Sequence, residues 1–392
     1  MQGQLLNHLV SRGCRTASAA FAKHNQQQDA PSDLQQLQDK VSPWGLAAVV
    51  FTVFVFIGLV LSVQYTLGHV VASLTMIETP TAAITIETPA EHDEPDSPLS
   101  KGEAEKENLL DGEQPVIEVV RIQPITSSII TTLRHLTTQA GFRSRWRGLG
   151  GAIIYGMAFH FLSNLVFAVV PTMPGRFLGE IAATMILARH HMAWTHAMIS
   201  TPSSKSYFSR ILPRSTWKAV AFPAAACFIV TDLALFVAAG FTHIIFFQVD
   251  IPNVERGSGT DVAIWAIKII AAISVGVCAV LFVAIPAHVT LTRIEASLLP
   301  EEEDTIVPFD RSFGGRVVPT VVGGTGAIGF LEAWKTFNWE ARRRVVKLYI
   351  KTFFVTCAIL FVGAHVVAAV AYAAVGPEVL RMGFVQMHAM RG

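Results

Sequence analysis

Long apolar segments constrain this chain more than any other feature of its sequence. A helix needs about 20 consecutive apolar residues to cross the hydrocarbon core of a bilayer. Segments of about that length cover residues 44–61, 149–170, 177–199, 219–247, 261–298 and 348–375. The first of them reaches the required length together with the apolar flank 63–67. The sequence therefore predicts an all-α membrane protein with six transmembrane helices.

The composition agrees with a membrane protein and excludes several other classes. Apolar residues make up 52% of the 392 residues and charged residues 15%, whereas soluble domains contain about 25% charged residues. The net charge of +1 predicts no nucleic-acid partner, and the apolar segments predict the lipid bilayer as a partner. Cys227, Cys278 and Cys357 lie within apolar segments and Cys14 stands alone. Their spacing predicts no disulfide framework and no zinc site.

Two short patterns recur three times, in the same order, at the ends of apolar segments. The first is a tryptophan followed by a cation, found as Trp146-Arg147, Trp217-Lys218 and Trp334-Lys335. The second closes an apolar segment at residues 67–74, 194–201 and 291–298, which read LGHVVASL, WTHAMIST and LTRIEASL. We call these the exit segments. Such recurrence predicts three pseudo-repeats of two helices each, with chance similarity of short strings as the alternative.

Changes in composition predict the boundaries of the repeats. We expect a polar, mobile N-terminus at residues 1–40, repeat 1 at 44–170, repeat 2 at 177–247, repeat 3 at 261–375 and a tail at 376–392. Residues 80–114 are rich in acids and prolines, which predicts a disordered insert. It would serve as a solvated spacer or as an interaction tail. Beyond it, Ile129, Leu133 and Leu136 have helical spacing and predict one of the short amphipathic helices between the spans.

The distribution of charge bears on the choice of membrane. Before Asp29 the chain contains no acid, while Arg12, Arg15 and Lys23 are positive. This resembles a mitochondrial targeting segment, and an ordinary N-terminus is the alternative. The loops with the Trp-cation pairs hold most of the loop cations, which predicts that they face the cytoplasm or the matrix. We expect an integral protein of a mitochondrial membrane, with the endoplasmic reticulum or another endomembrane as the alternative.

Polar residues inside the apolar segments are candidates for function, since a charge there costs about 2.5–3.5 kcal/mol on insertion scales. The candidates for lining a central cavity are His160, Asn164, Arg189, His191, His196, Asp232, His288 and Arg293. Asp232 has mostly apolar neighbours, so we expect it to pair with Arg189 or Arg293, or to be protonated. A buried helix–helix contact is the alternative role for Asp232.

Two further expectations concern side chains near the ends of predicted helices. Arg293 and Glu295 lie near the end of the fifth helix, and we expect their side chains to extend to the membrane interface. His191 and His196 are five residues apart, which is poor spacing for one helical face. The sequence therefore predicts no metal site and no cofactor.

The layout resembles the mitochondrial carrier family. Residues 286–293, PAHVTLTR, are similar to the family signature, which begins with proline, any residue and an acid, and ends with basic residues. Residues 146–149, WRGL, are similar to the element that begins its even helices. His288 stands in place of the signature acid, as do Gln64 and His191 in the other two copies. In that family the acids form salt bridges that close the cavity.

The chain more closely resembles a group of fungal multi-pass membrane proteins of unknown function, some of which bear the name ubiquitin carrier protein. The conjugating chemistry in that name requires an accessible thiolate, and the cysteine positions give it no support. The carrier resemblance implies transport of a small solute. The alternative is a non-transporting membrane adaptor or scaffold that binds a protein partner through its acidic loop. We found no catalytic motif and expect no enzyme.

Overall fold

A computed structural model describes residues 43–79, 82–87, 116–121, 123–246, 259–318 and 322–375. The predicted mobile N-terminus, the C-terminal tail and most of the acidic insert lie outside these residues. The chain divides into two compact units, one comprising residues 1–63 and 353–392 and the other residues 64–352. The two units are described separately below.

Helices dominate the described residues. In chain order they are α1 (Pro43–Tyr65), α2 (Ala72–Ile77), α3 (Ile129–Ala140), α4 (Leu149–Val169), α5 (Met173–Ile186), α6 (Ala188–Ile199), α7 (Trp217–Phe246), α8 (Gly259–Ala279), α9 (Ile285–Ser297), α10 (Phe330–Lys335) and α11 (Trp339–Val375). A π-helical segment, Thr66–Val71, joins α1 to α2, and another, Val280–Ala284, joins α8 to α9. The second π segment directly precedes Pro286, where the sequence predicts a kink.

Five continuous helical runs among the described residues are long and apolar enough to cross a membrane, instead of the six that we predicted. They are Pro43–Ile77, Phe142–Val169, Arg214–Phe246, Gly259–Ser297 and Trp339–Ala374. The prediction of one continuous third helix over residues 177–199 is wrong. That stretch breaks at Leu187 into α5 and α6, because Leu187 leaves helical geometry with φ −91° and ψ 5°. The arrangement in three repeats stays a prediction.

Helices α5 and α6 return along α4 from its end to its beginning. Near the end of α4, a Cβ atom at Gly179 would lie 2.7 Å from the carbonyl oxygen of Ser163. Near its beginning, a Cβ atom at Gly148 would lie 3.0 Å from Cδ1 of Trp194 on α6. Glycine therefore permits close packing at both ends of this contact.

Two short strands flank the acidic insert. Strand β1 (Ala82–Glu87) pairs antiparallel with β2 (Val116–Arg121), with Ala82 opposite Arg121 and Glu87 opposite Val116. Residues 82–87 belong to the stretch that we predicted to be disordered, and there the structure has a strand. The pairing brings the two ends of residues 88–115 together, and those residues lie outside the described part.

In the unit of residues 64–352, all three exit segments meet. Helix α9 packs against both α2 and α6, and α2 also contacts α6. The predicted amphipathic stripe lies on α3, where Leu136 is fully buried. In the other unit, α1 packs against the second half of α11, since a Cβ atom at Gly363 would lie 2.8 Å from the Phe56 ring.

Candidate functional site: a polar junction and an adjoining cavity

The meeting point of the exit segments is built around Glu295. This carboxylate on α9 is 0% exposed. Its Oε1 lies 2.6 Å from Nδ1 of His191, and its Oε2 accepts a 2.5 Å hydrogen bond from the hydroxyl of Thr195. Nε2 of His196 lies 2.7 Å from the backbone oxygen of the same glutamate. Burial of a charged group is costly unless it is paired and hydrogen-bonded, and α6 supplies these partners. We call this group the polar junction.

Arg293, two residues before Glu295 on α9, corrects a second expectation. Its exposed fraction is 7%, so the side chain does not extend to the interface. The guanidinium donates to the carbonyl oxygens of Ala333 (2.9 Å) and Met76 (3.0 Å) and to the hydroxyl of Thr336 (3.0 Å). It also lies over the rings of Phe313 and Phe337. A guanidinium has five N–H donors in one plane, so it can bind acceptors from several separate elements at once. We also expected the Glu295 side chain to extend to the interface. This prediction is wrong, because that side chain is buried as well.

Two buried ion pairs involve glutamates that follow the first and the third exit segments. Glu78, after α2, lies 2.5 Å from Arg344 and accepts hydrogen bonds from residues 125 and 126. Glu303, after α9, lies 2.5 Å from Arg210 and 3.1 Å from Lys205. Burial alone would raise the pKa of Glu303, but the hydrogen bond from Lys205 and the charge of Arg210 hold it below its ordinary value. Glu303 is therefore held as an anion.

A cavity of about 480 Å³ adjoins the polar junction. His191 connects the two, because it contacts Glu295 and also lines the cavity. Helix α7 forms one wall with residues 224, 227, 228, 231, 232 and 235, a spacing that keeps them on one helical face. The second π segment, α9 and Tyr349 of α11 complete the lining. The volume is in the range of small-molecule sites.

Aromatic rings form a continuous series along the cavity. The ring centroids of Phe228 and Phe159 are 6.4 Å apart, those of Phe159 and Tyr155 6.0 Å, and those of Tyr155 and His191 5.2 Å. On the opposite side, Nδ1 of His288 lies 3.0 Å from the hydroxyl of Tyr349. The cavity thus has apolar and aromatic walls with a few polar groups, as ligand sites commonly do.

The structure sorts the predicted cavity residues into three groups. His191, Asp232 and His288 line the cavity. His196 and Arg293 lie in or beside the polar junction. His160 and Asn164 are exposed on α4, and Arg189 donates to the carbonyl oxygen of Leu212.

The expected partners of Asp232 are engaged elsewhere, because Arg189 and Arg293 both bind backbone carbonyls. Among the described residues, Asp232 forms no ion pair. Cys227 lies one turn before Thr231 on the cavity face of α7. Its thiol donates a hydrogen bond to the carbonyl oxygen of Ala287, at a distance of 3.2 Å.

The Trp-cation pairs lie outside the cavity and contact helix ends. Arg147 donates to the carbonyl of Ser200 at 2.5 Å, and Nε1 of Trp217 donates to that of Met185 at 2.8 Å. Trp334 lies under the guanidinium of Arg342, 4.1 Å from the ring centroid. Lys218 is exposed, and Lys335 pairs with Glu332 on α10. These contacts join short connecting segments to the membrane-length helices.

Sequence reasoning missed Glu295 as the centre of the junction and missed Tyr155 and Tyr349 as cavity residues. The signal for Glu295 was present, since it is an acid three residues before the end of an exit segment. A tyrosine near the end of an apolar segment carries no such signal, because aromatic residues are also common at membrane interfaces. His191 and His196 do not share one face of α6, yet both reach Glu295, one through its side chain and one through its backbone.

The lining of the cavity offers groups that can bind a solute. Within the described ranges no group of three or more histidine, cysteine or acidic residues could hold a metal ion. The lining offers hydroxyl, imidazole and carboxylate groups and a thiol that is engaged with a carbonyl. Such groups can hold a polar head of a solute while the aromatic walls hold its apolar body.

Comparisons with protein-family models, with curated proteins and with solved structures give no match for this chain.

Proposed function

We propose that this multi-pass membrane protein binds a small solute in the cavity and carries it across the bilayer. The observation that supports the proposal is a cavity of about 480 Å³ among helices of membrane-spanning length. Three ionisable side chains, His191, Asp232 and His288, line it. Ionisable residues within membrane segments mark solute pathways by default because they are costly to retain there.

Cysteine accessibility tests whether the cavity admits water and solutes. In a background with Cys14, Cys227, Cys278 and Cys357 replaced by serine, Thr231→Cys places a thiol on the cavity face of α7. We expect a membrane-impermeant thiol reagent to label this variant. Val230→Cys is the matched control, because Val230 is 51% exposed and does not line the cavity. It should react only with a lipid-soluble reagent.

Transport further requires that the cavity open to both sides. In vesicles with one orientation of the protein, the Thr231→Cys thiol should react with impermeant reagent applied from either side. Labelling from one side alone would indicate a binding protein or receptor. A thiol at position 231 that reacts no faster than one at position 230 would contradict the proposed function.

A membrane adaptor is the second candidate. The pairing of β1 with β2 holds both ends of the acidic insert together, so the insert can be presented as one acidic loop. We expect such an adaptor to retain a basic protein partner in a salt-sensitive way, since exposed charge pairs are screened by salt. Deletion of residues 88–113 should release that partner, and an unchanged set of bound proteins would contradict the adaptor function.

A further inference from the structure

We propose that the cavity selects an amphipathic organic cation, such as a hydrophobic amine or quaternary ammonium compound. This inference rests on the proposed function and names the class of solute. The cavity combines aromatic walls with an acidic side chain that forms no ion pair among the described residues, and the described lining contains no lysine or arginine.

The charge of the cavity favours a cation. Asp232 lies about halfway along the candidate span Arg214–Phe246. Among the described residues that line the cavity, none is lysine or arginine. His191 is matched by Glu295 and His288 by the hydroxyl of Tyr349. The Asp232 carboxylate thus has no ion-pair partner among the described residues, and a cationic ligand can supply one.

The aromatic walls supply the second requirement. Phe228 precedes Asp232 by one helical turn on the cavity face of α7, and Phe159 and Tyr155 extend the wall from it. A quaternary or protonated amine is attracted to aromatic faces, most strongly when it is desolvated. Apolar residues, among them Leu235 and Leu291, complete the lining. The site therefore fits a positive head beside Asp232 and an apolar body along the rings.

A pair of probes with the same shape and different charge tests the inference. Benzyltrimethylammonium is permanently positive, and neopentylbenzene is its uncharged carbon isostere. The readout is protection of Thr231→Cys from maleimide in the purified full-length protein. We expect benzyltrimethylammonium to protect the thiol, with roughly tenfold weaker binding after Asp232→Asn. Neopentylbenzene should be indifferent to that substitution, and 3-phenylpropionate should give no protection.

Asp232→Glu serves as the matched variant because it keeps the charge, and it should retain most of the affinity for the cation. Circular dichroism and gel filtration establish that each variant is folded. Equal protection by the two isosteric probes, or unchanged cation binding in Asp232→Asn, would overturn the inference. If the thiol is accessible to water and the cation does not protect it, the solute class is wrong while the proposed function stands. An inaccessible thiol overturns both.

Discussion

At the scale of single residues, the polar junction shows how this chain stabilises charge away from water. Glu295 has no exposure, and its two carboxylate oxygens each have one partner from α6. Removal of one member of such a group leaves the others buried without partners, which costs more than the loss of a surface pair. The histidines of α6 therefore have a structural role in addition to any contact with a solute.

We predict that Glu295→Ala lowers the stability of the folded protein by about 3–5 kcal/mol, because His191 and Thr195 lose their acceptor. The unfolding midpoint in detergent, followed by heat or denaturant, measures this loss. Glu302→Ala is the matched control on the same chain, since Glu302 is 83% exposed. Its effect should stay within about 0.5 kcal/mol. Equal midpoints for the two variants would show that Glu295 does not organise the junction.

At the scale of elements, close packing of α5 on α4 depends on small residues. Gly175, Gly179 and Ala183 are buried at helical spacing along α5. A Cβ atom at position 179 would lie 2.7 Å from a carbonyl oxygen of α4, which is closer than real side chains approach. Small residues at such spacing let helix backbones come together in membranes.

We predict that Gly179→Ala separates the two helices and destabilises the protein by about 1–3 kcal/mol, as overpacking does elsewhere. Gly156→Ala is the control, because a Cβ atom there would meet nothing within 4 Å. Alanine is the better helix former by about 0.8–1.0 kcal/mol, so this control should be neutral or stabilising. In the same detergent, the thermal midpoint should therefore fall for Gly179→Ala and stay constant or rise for Gly156→Ala. An equal fall in both variants would refute the packing argument.

Glu303, in the loop after α9, makes the stability of the folded protein depend on pH. The pKa of Glu303 is lowered in the folded protein. Its ion pairs therefore contribute their full stability at pH values above the ordinary glutamate pKa of about 4.3. This contribution is lost as the pH falls through the lower pKa that Glu303 has in the folded protein.

We predict that wild type exceeds Glu303→Gln in stability at neutral pH and that the difference vanishes on acidification. Unfolding midpoints measured from pH 7 down to about pH 3 test this. Glu301→Gln, at an exposed position, should follow wild type throughout. A difference that persists at the lowest pH would assign the effect of position 303 to packing and not to charge.

At the scale of the whole molecule, the open question is how many times the chain crosses the membrane. The described residues contain five helices of sufficient length, and α5 and α6 are not among them. Together, however, these two helices return along the full length of α4, which is part of a candidate span. We infer that the broken pair crosses the bilayer once, with its bend at Leu187.

This inference predicts the topology of the flanking loops. Thr172→Cys precedes α5 and Ser203→Cys follows α6. In sealed vesicles of one orientation, an impermeant reagent should label one of these thiols from outside and the other only after permeabilisation. Labelling of both from the same side would show that α5 and α6 form a re-entrant pair, and the described residues would then contain five crossings.

Sequence by itself determined that this chain builds membrane-length helices and where most of them lie. The predicted segments 149–170, 219–247 and 261–298 agree with α4, α7 and the run from α8 to α9 within a few residues. This succeeds because the bilayer requires long apolar helices, and hydrophobicity is a local property of the sequence. The three exit segments were recognisable as patterns, although the partners of their polar residues were not.

Tertiary structure alone decided which polar residues meet. Glu295 and Arg293 have the composition of interfacial residues, yet both are buried, because partners on α6, α10 and α2 converge on them. Asp232 lines a cavity without the arginines expected beside it, because those side chains bind carbonyls on other elements. Partners far apart in the chain leave no local signal in sequence. The break at Leu187 likewise has no proline or glycine at that position to mark it in the sequence.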